Sequence, residues 1–148
     1  GYALRLTFFL VASLLLITAI AYASTQEGDS ALSKDEGDAQ RMALEKRVIA
    51  KWDALMQRDF ATAYLFTSPA YREVYSLDAF KRSFGGKVGW QRVEVVSSNF
   101  KGNDSAIVGI KIHFVYHDPQ SQHDLDMATH VEESWVRANG EWWYLVKD

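Results

Sequence analysis

Eighteen consecutive uncharged, mostly apolar residues run from Leu6 to Ala23, with Arg5 before them and an acid-rich stretch after. At about 1.5 Å of rise per residue, a helix of that length spans roughly 27 Å, close to the hydrocarbon thickness of a bilayer. Two fates fit such a segment. Arg5 and the Ala21-Tyr22-Ala23 tripeptide suit a cleavable secretory signal, whereas the apolar run exceeds the roughly 7 to 15 residues of a signal core. Because the run is that long, and because the chain contains the segment, a retained transmembrane anchor over residues 1–23 is expected. Leu6, Phe8, Phe9, Leu14, Leu15, Leu16, Ile20 and Ala23 form its span. Arg5 is the sole charge before the span, while Glu27, Asp29, Asp35, Glu36 and Asp38 follow it against Lys34 alone. The rule that cationic flanks stay in the cytoplasm puts the N-terminus inside and the rest outside. In a bacterium that is an inner-membrane protein with a periplasmic domain, and the bilayer is its first partner.

Residues 24–39 are rich in Ser, Gly and acids, with Leu32 as the one large apolar side chain, and read as an acidic flexible linker. Residues 40–148 are enough for one domain. The chain has no cysteine, so disulfides and thiolate metal sites are excluded. Residues 40–101 carry eleven basic and six acidic side chains, and residues 102–148 carry three and eight. A neutral domain with this dipole and no dense basic tract is not expected to bind nucleic acid.

From Gln40 the pattern is helical. Leu44, Val48, Trp52 and Leu55 recur at spacings of three and four, with Arg41, Lys46, Arg47, Lys51 and Arg58 falling mainly elsewhere on the wheel. Asp59 can cap a second helix, Ser68-Pro69 gives a cap with Pro at the first helical position, and Ser76 starts a further helix ended at Gly85-Gly86. About three helices are expected. The period then falls to two, through Val93 and Val95, the alternation from Ala106 to Tyr116, and that from Leu125 to Trp135. Lys101-Gly102-Asn103-Asp104 and Ala138-Asn139-Gly140 read as hairpin turns, so the fold class is α+β with an antiparallel sheet.

In Trp52-Asp-Ala-Leu55, Asp59-Phe60-Ala-Thr-Ala63-Tyr64, Ser68-Pro69-Ala70-Tyr71-Arg72 and the closing hairpin Glu133 to Leu145, the chain resembles the nuclear-transport-factor-2-like superfamily. That group includes SnoaL-like and ketosteroid-isomerase-like proteins. The resemblance covers nearly all of residues 40–148. It implies a cone-shaped curved sheet around a pocket, and a scaffold that serves isomerases, dehydratases, adaptors and secretion-machinery subunits alike.

If the apolar strand faces line that pocket, Tyr116, Glu133 and Trp135 point inward, with Tyr64 and Tyr71 on the helical side. Desolvation beside phenols could fit Glu133, with Tyr116, for general acid or base work, the only catalytic candidates in the chain. The opposing reading puts Glu133 at the rim, paired with a Lys or Arg. His113 and His117 lie roughly 13 Å apart on a strand and cannot share an ion. The loop Asp118 to Asp126 lacks the glycine and final glutamate of a calcium loop. No metal and no cofactor is expected. Trp142, Trp143 and Tyr144 place rings on both faces of one strand, which makes them interface candidates.

The expected function is therefore a non-catalytic single-span accessory or scaffold subunit of an inner-membrane complex, whose partners are other membrane-protein subunits. The alternative is a pocket enzyme of isomerase or dehydratase type, or a small-ligand binder. A second alternative is a secretion-system assembly factor.

Overall fold

The computed structural model describes residues 32–86 and 88–147. The apolar segment from Leu6 to Ala23, with most of the linker, lies outside the described residues. Among those described, no helix is long and apolar enough to cross a membrane.

Helix α1, Lys34–Met56, starts well before Gln40 and takes in the end of the acid-rich stretch. A reciprocal cap explains the early start. The Ser33 hydroxyl accepts from the Glu36 amide while the Glu36 carboxylate accepts from the Ser33 amide. Asp35 and Glu36 also place negative charge on the positive end of the helix dipole. Arg58 ends the helix with a positive φ of 58°, a conformation costly for a side chain. Its guanidinium holds the bend by donating to the carbonyls of Gly85 and Val88 and lying over the Trp90 ring.

Three short helices follow, each with the cap expected from sequence: α2, Phe60–Tyr64, on Asp59; α3, Pro69–Val74, on Ser68; and α4, Leu77–Arg82, on Ser76. The described helices are thus four rather than about three, because the Ser68-Pro69 signal opens a helix of its own.

Strands β1, Val88–Lys101, β2, Ser105–His117, β3, Asp124–Ala138, and β4, Glu141–Leu145, form an antiparallel meander in chain order. Both predicted turns are present. Asn139 and Gly140 have φ of 54° and 76°, the left-handed pair a tight two-residue hairpin requires. Irregularities between Trp90 and Arg92 and between Val95 and Ser97 bend β1. At the second of these a β-carbon on Gly109 would meet the Ser97 hydroxyl at 2.3 Å, so any side chain there would have to displace that hydroxyl.

The helices cover one face of the sheet. Ala106, Val108, Ile110 and Ile112 of β2, and Trp135 of β3, are buried against Leu44, Val48, Trp52 and Leu55 of α1 and against Phe80 of α4. The opposite edge of β4 is closed by backbone bonds from Tyr144 to Phe66 and from Ser68 to Tyr144.

The helical cover ends before the sheet does. Residues 121–130 are all exposed, and the β2–β3 hairpin continues as an arm. Its apolar side chains fall on the same face as the core residues, through the pairings of Phe114 with Met127 and of Tyr116 with Leu125. Leu125 and Met127 are each 47% exposed.

Candidate functional site

The most unusual group in the interior is an ion pair. Lys51, on α1, and Glu133, on β3, are bonded to each other and are 2% and 5% exposed. Residues 44, 48, 51 and 55 share one helical face, so Lys51 sits in line with the apolar stripe and not beside it, as the sequence reading had placed it. Glu133 comes inward because it follows the strand alternation of Val131 and Trp135.

Indoles complete the carboxylate. Trp52 Nε1 donates to Glu133 Oε2 and Trp135 Nε1 to Oε1, each at 3.2 Å. Aromatic faces surround the amine as well: Lys51 Nζ lies 3.6 Å from the Tyr144 ring centroid and 5.0 Å from that of Trp52. Such cation–π contacts are worth more once desolvated. Burial is the largest influence on Lys51 and lowers its pKa, while Glu133 opposes the shift.

Chemically this arrangement binds itself. Both Glu133 oxygens already accept donors, and burial keeps the carboxylate from any approaching substrate. Two grooves lie elsewhere. One runs between α1 and β1 along Glu45, Ile49, Asp53 and Val95, and another passes Arg47 and Phe66; neither is lined by Glu133. Among the described residues no group of His, Asp and Glu could hold a metal ion.

The residues proposed from sequence separate into several places. Glu133 and Trp135 do point inward together, and the expected partner lysine exists, but the pair is deep and not at a rim. Tyr116 is half-buried on the arm. It stands eight strand positions from Val108, which faces Glu133, or about 26 Å along a straight strand. The two acid–base candidates therefore do not share a site. Tyr64 donates its hydroxyl to the Tyr75 carbonyl and packs on Phe80, tying α2 to α3 and α4. Tyr71 stacks on Tyr75 with ring centroids 4.7 Å apart.

Of the interface candidates, Trp142 is core, packed on Phe100, and Tyr144 closes the cage over Lys51. Trp143 is half-buried, with the guanidinium carbons of Arg47 and Arg72 lying 4.8 and 5.2 Å from its ring centroid. Lys51 and Trp52 are the site residues that sequence reasoning missed. A lysine in register with Val48 and Leu55, read beside a carboxylate at an inward strand position, is the signal that could have found them.

Burial, and next the Glu133 charge, push the Tyr144 phenol up to about 12 from its usual 10. A phenol whose folded pKa is raised stabilises the fold fully below pH 10. That contribution falls as the unfolded chain ionises first, and is lost by about pH 12. Phenolate absorbance of the folded protein should show one tyrosine titrating late, and Tyr144→Phe should remove that step. If Tyr144→Phe leaves the phenolate titration above pH 10 unchanged, the cage is open to water.

No protein-family model matches the chain, and no curated protein matches it. Solved structures do. One is a ketosteroid isomerase-like protein from Erwinia carotovora atroseptica, 14% identical over 70% of this chain and 88% of that one, TM-score 0.55. A second is the association domain of C. elegans CaMKII, 17% identical over 74% of this chain and 94% of that one, TM-score 0.51. A third is a SEC-C motif containing protein from Rhodopseudomonas palustris, 19% identical over 64% and 68%, TM-score 0.50. At such identities the likeness is one of fold. The first two have nuclear-transport-factor-2-like folds, and the helices and four-stranded meander of this chain share that architecture.

Proposed function

We propose that the chain is a non-catalytic, single-span accessory or scaffold subunit of a bacterial inner-membrane complex, with a periplasmic domain that docks onto other subunits. The observation that carries this reading is the state of Glu133. The carboxylate an isomerase or dehydratase of this fold would need is buried, paired with Lys51 and bonded to two indoles. An interior closed in this way leaves the outer surface as the working part.

The arm supplies such a surface. Leu125 and Met127 expose apolar area, Phe114 and Tyr116 continue it, and Val88 and Trp90 lie across the pairing on β1. Contiguous apolar surface of this kind marks interaction sites. Membrane attachment rests on the uncharged run from Leu6 to Ala23 and the charge asymmetry around it. A neighbour in fold that is itself an association domain is consistent with a docking role. The secretion-system assembly factor is a narrower form of the same reading.

The test is extraction of the tagged full chain from its native membrane in mild detergent, followed by size analysis and identification of what travels with it. We expect a defined set of membrane proteins. Leu125→Asp combined with Met127→Asp should release them while leaving thermal unfolding almost unchanged, since both positions are exposed. Recovery of the whole population as a monomer would sink the proposal.

A further inference from the structure

Among the described residues, one stretch of sheet edge is left without protection. The outer strand β1 is broken by two irregularities, and its carbonyls at Ser98 and Val88 accept from Arg41 and Arg58. β4 is closed by Phe66 and Ser68. β3 runs from Asp124 to Ala138, yet β4 pairs only with Ser134 to Ala138. From Asp124 to Glu133 the far side of β3 therefore meets no strand, and no backbone hydrogen bond among the described residues reaches it.

The register fixes which groups point there. Tyr144 makes its outer backbone bonds with Phe66 and Ser68, so its cross-strand partner Trp135 turns its own backbone groups toward β2. Alternation along an unbroken pairing then aims the N–H and C=O of Asp126, Ala128, His130 and Glu132 outward. The side chains of these four lie on the face away from the helices, while Leu125, Met127 and Val131 lie on the core face.

Charge says what fits this edge. The stretch has no Lys, Arg, Pro or Gly, and residues 124–130 are all exposed. Asp126 lies opposite Val115 and Glu132 opposite Gly109, so neither faces a cation across the ladder. Neither forms an ion pair among the described residues. Two copies paired antiparallel about Thr129 would set Asp126 of one against Glu132 of the other, and like charges directly opposite are destabilising. The charges favour a cationic strand from a different chain.

We propose that the edge from Asp124 to Glu132 accepts an extended segment of a partner protein in which lysine or arginine alternates with apolar residues. The segment adds antiparallel to β3, in line with β4, and bonds to the four outward residues. Its cationic side chains lie beside Asp126 and Glu132, and its apolar ones extend the strip of Leu125, Met127 and Val131. The inference deepens the docking role proposed above and rests on it for the source of the segment.

The probe is an acetylated, amidated octapeptide of alternating lysine and valine, added to the full chain in detergent micelles. Amide exchange of single residues, read by nuclear magnetic resonance, gives the pairing. In the free chain the amides of Asp126, Ala128, His130 and Glu132 should exchange faster than those of Met127, Thr129 and Val131, and saturating peptide should slow them. N-methylation of the lysines, whose N–H groups face the edge, should abolish binding, whereas N-methylation of the valines should leave it intact. The counterpart with glutamate for lysine should bind only the double variant Asp126→Lys with Glu132→Lys. Asp126→Asn should weaken the lysine peptide about two- to fivefold, as loss of a surface charge contact does. Ala128→Pro removes an outward donor without touching the β2 ladder and should abolish pairing; charge reversal decides the matter if that variant unfolds. The proposal is overturned if the four outward amides are already protected in the free chain, or if the peptide fails to slow them. It is also overturned if both N-methylated peptides bind alike, or if charge reversal does not exchange the preference. Peptide pairing by a chain that travels alone from the membrane would support the edge and fail the docking role. Co-purification of a chain that ignores the peptide would do the reverse.

Discussion

Replacing Lys51 with Met should lower the unfolding free energy by about 3 to 5 kcal/mol, the usual consequence of leaving one member of a buried ion pair without its partner. The apolar stem of Met fits the space between Val48 and Trp52, so packing is nearly conserved and the loss is electrostatic. Glu133 would keep its two indole donors but remain an uncompensated charge under Trp135 and Tyr144. The double variant Lys51→Met with Glu133→Gln removes that charge, and its side-chain carbonyl still accepts from one indole. It should be more stable than the single variant by at least about 1 kcal/mol, a coupling expected of residues in direct contact. Thermal and denaturant unfolding of the full chain, followed by tryptophan emission, measures both. A single variant within about 1 kcal/mol of the parent, or a double variant no better than the single, would show that the pair is not closed from water.

A catalytic Glu133 predicts a different pattern. A carboxylate kept in a fold for chemistry is held against stability, so its removal would relieve strain. The cage predicts instead that Lys51 and Glu133 are worth having only together. That difference separates a structural pair from an active-site remnant by stability alone, with no knowledge of a substrate.

The elements of this fold were written locally, and the arrangement that gives them meaning was not. Asp59, Ser68-Pro69 and Ser76 announce helix starts through bonds made within three residues, and each is where the sequence puts it. Asn139-Gly140 and the turn after Lys101 are equally local, and with the alternation they lead to the meander. The start of α1 was legible in Ser33 and Glu36, yet the polar composition around them outweighed a two-bond signal. Lys51 was hidden for a different reason. Charge on a helix defaults to the solvated face, and only the arrival of Glu133 from residues far along the chain reverses that default. The arm shows the converse. Alternation sends Leu125 and Met127 to the core face correctly, but whether a helix reaches far enough to cover them is a matter of tertiary length.

The second large effect belongs to Trp135. It is fully buried, it packs on Tyr144 at 5.7 Å between centroids, and its indole N–H is the donor to Glu133 Oε1. Trp135→Ala should cost about 3 to 5 kcal/mol, the range for large-to-small changes in a core. Trp135→Phe separates the contributions, because it keeps most of the ring and deletes the donor. Its expected cost is about 1.5 to 3 kcal/mol, the value of a hydrogen bond to a charged group. If the phenylalanine variant is nearly as stable as the parent, Trp135 serves as filler and the Glu133 carboxylate does not need it. If it loses most of what alanine loses, the indole is part of the electrostatic closure. The second outcome is expected, because Lys51 alone supplies one donor direction and Oε1 faces away from it, toward Trp135. The same substitution in a double variant with Lys51→Met should then be less than additive. Two groups that satisfy one carboxylate cannot each be lost in full.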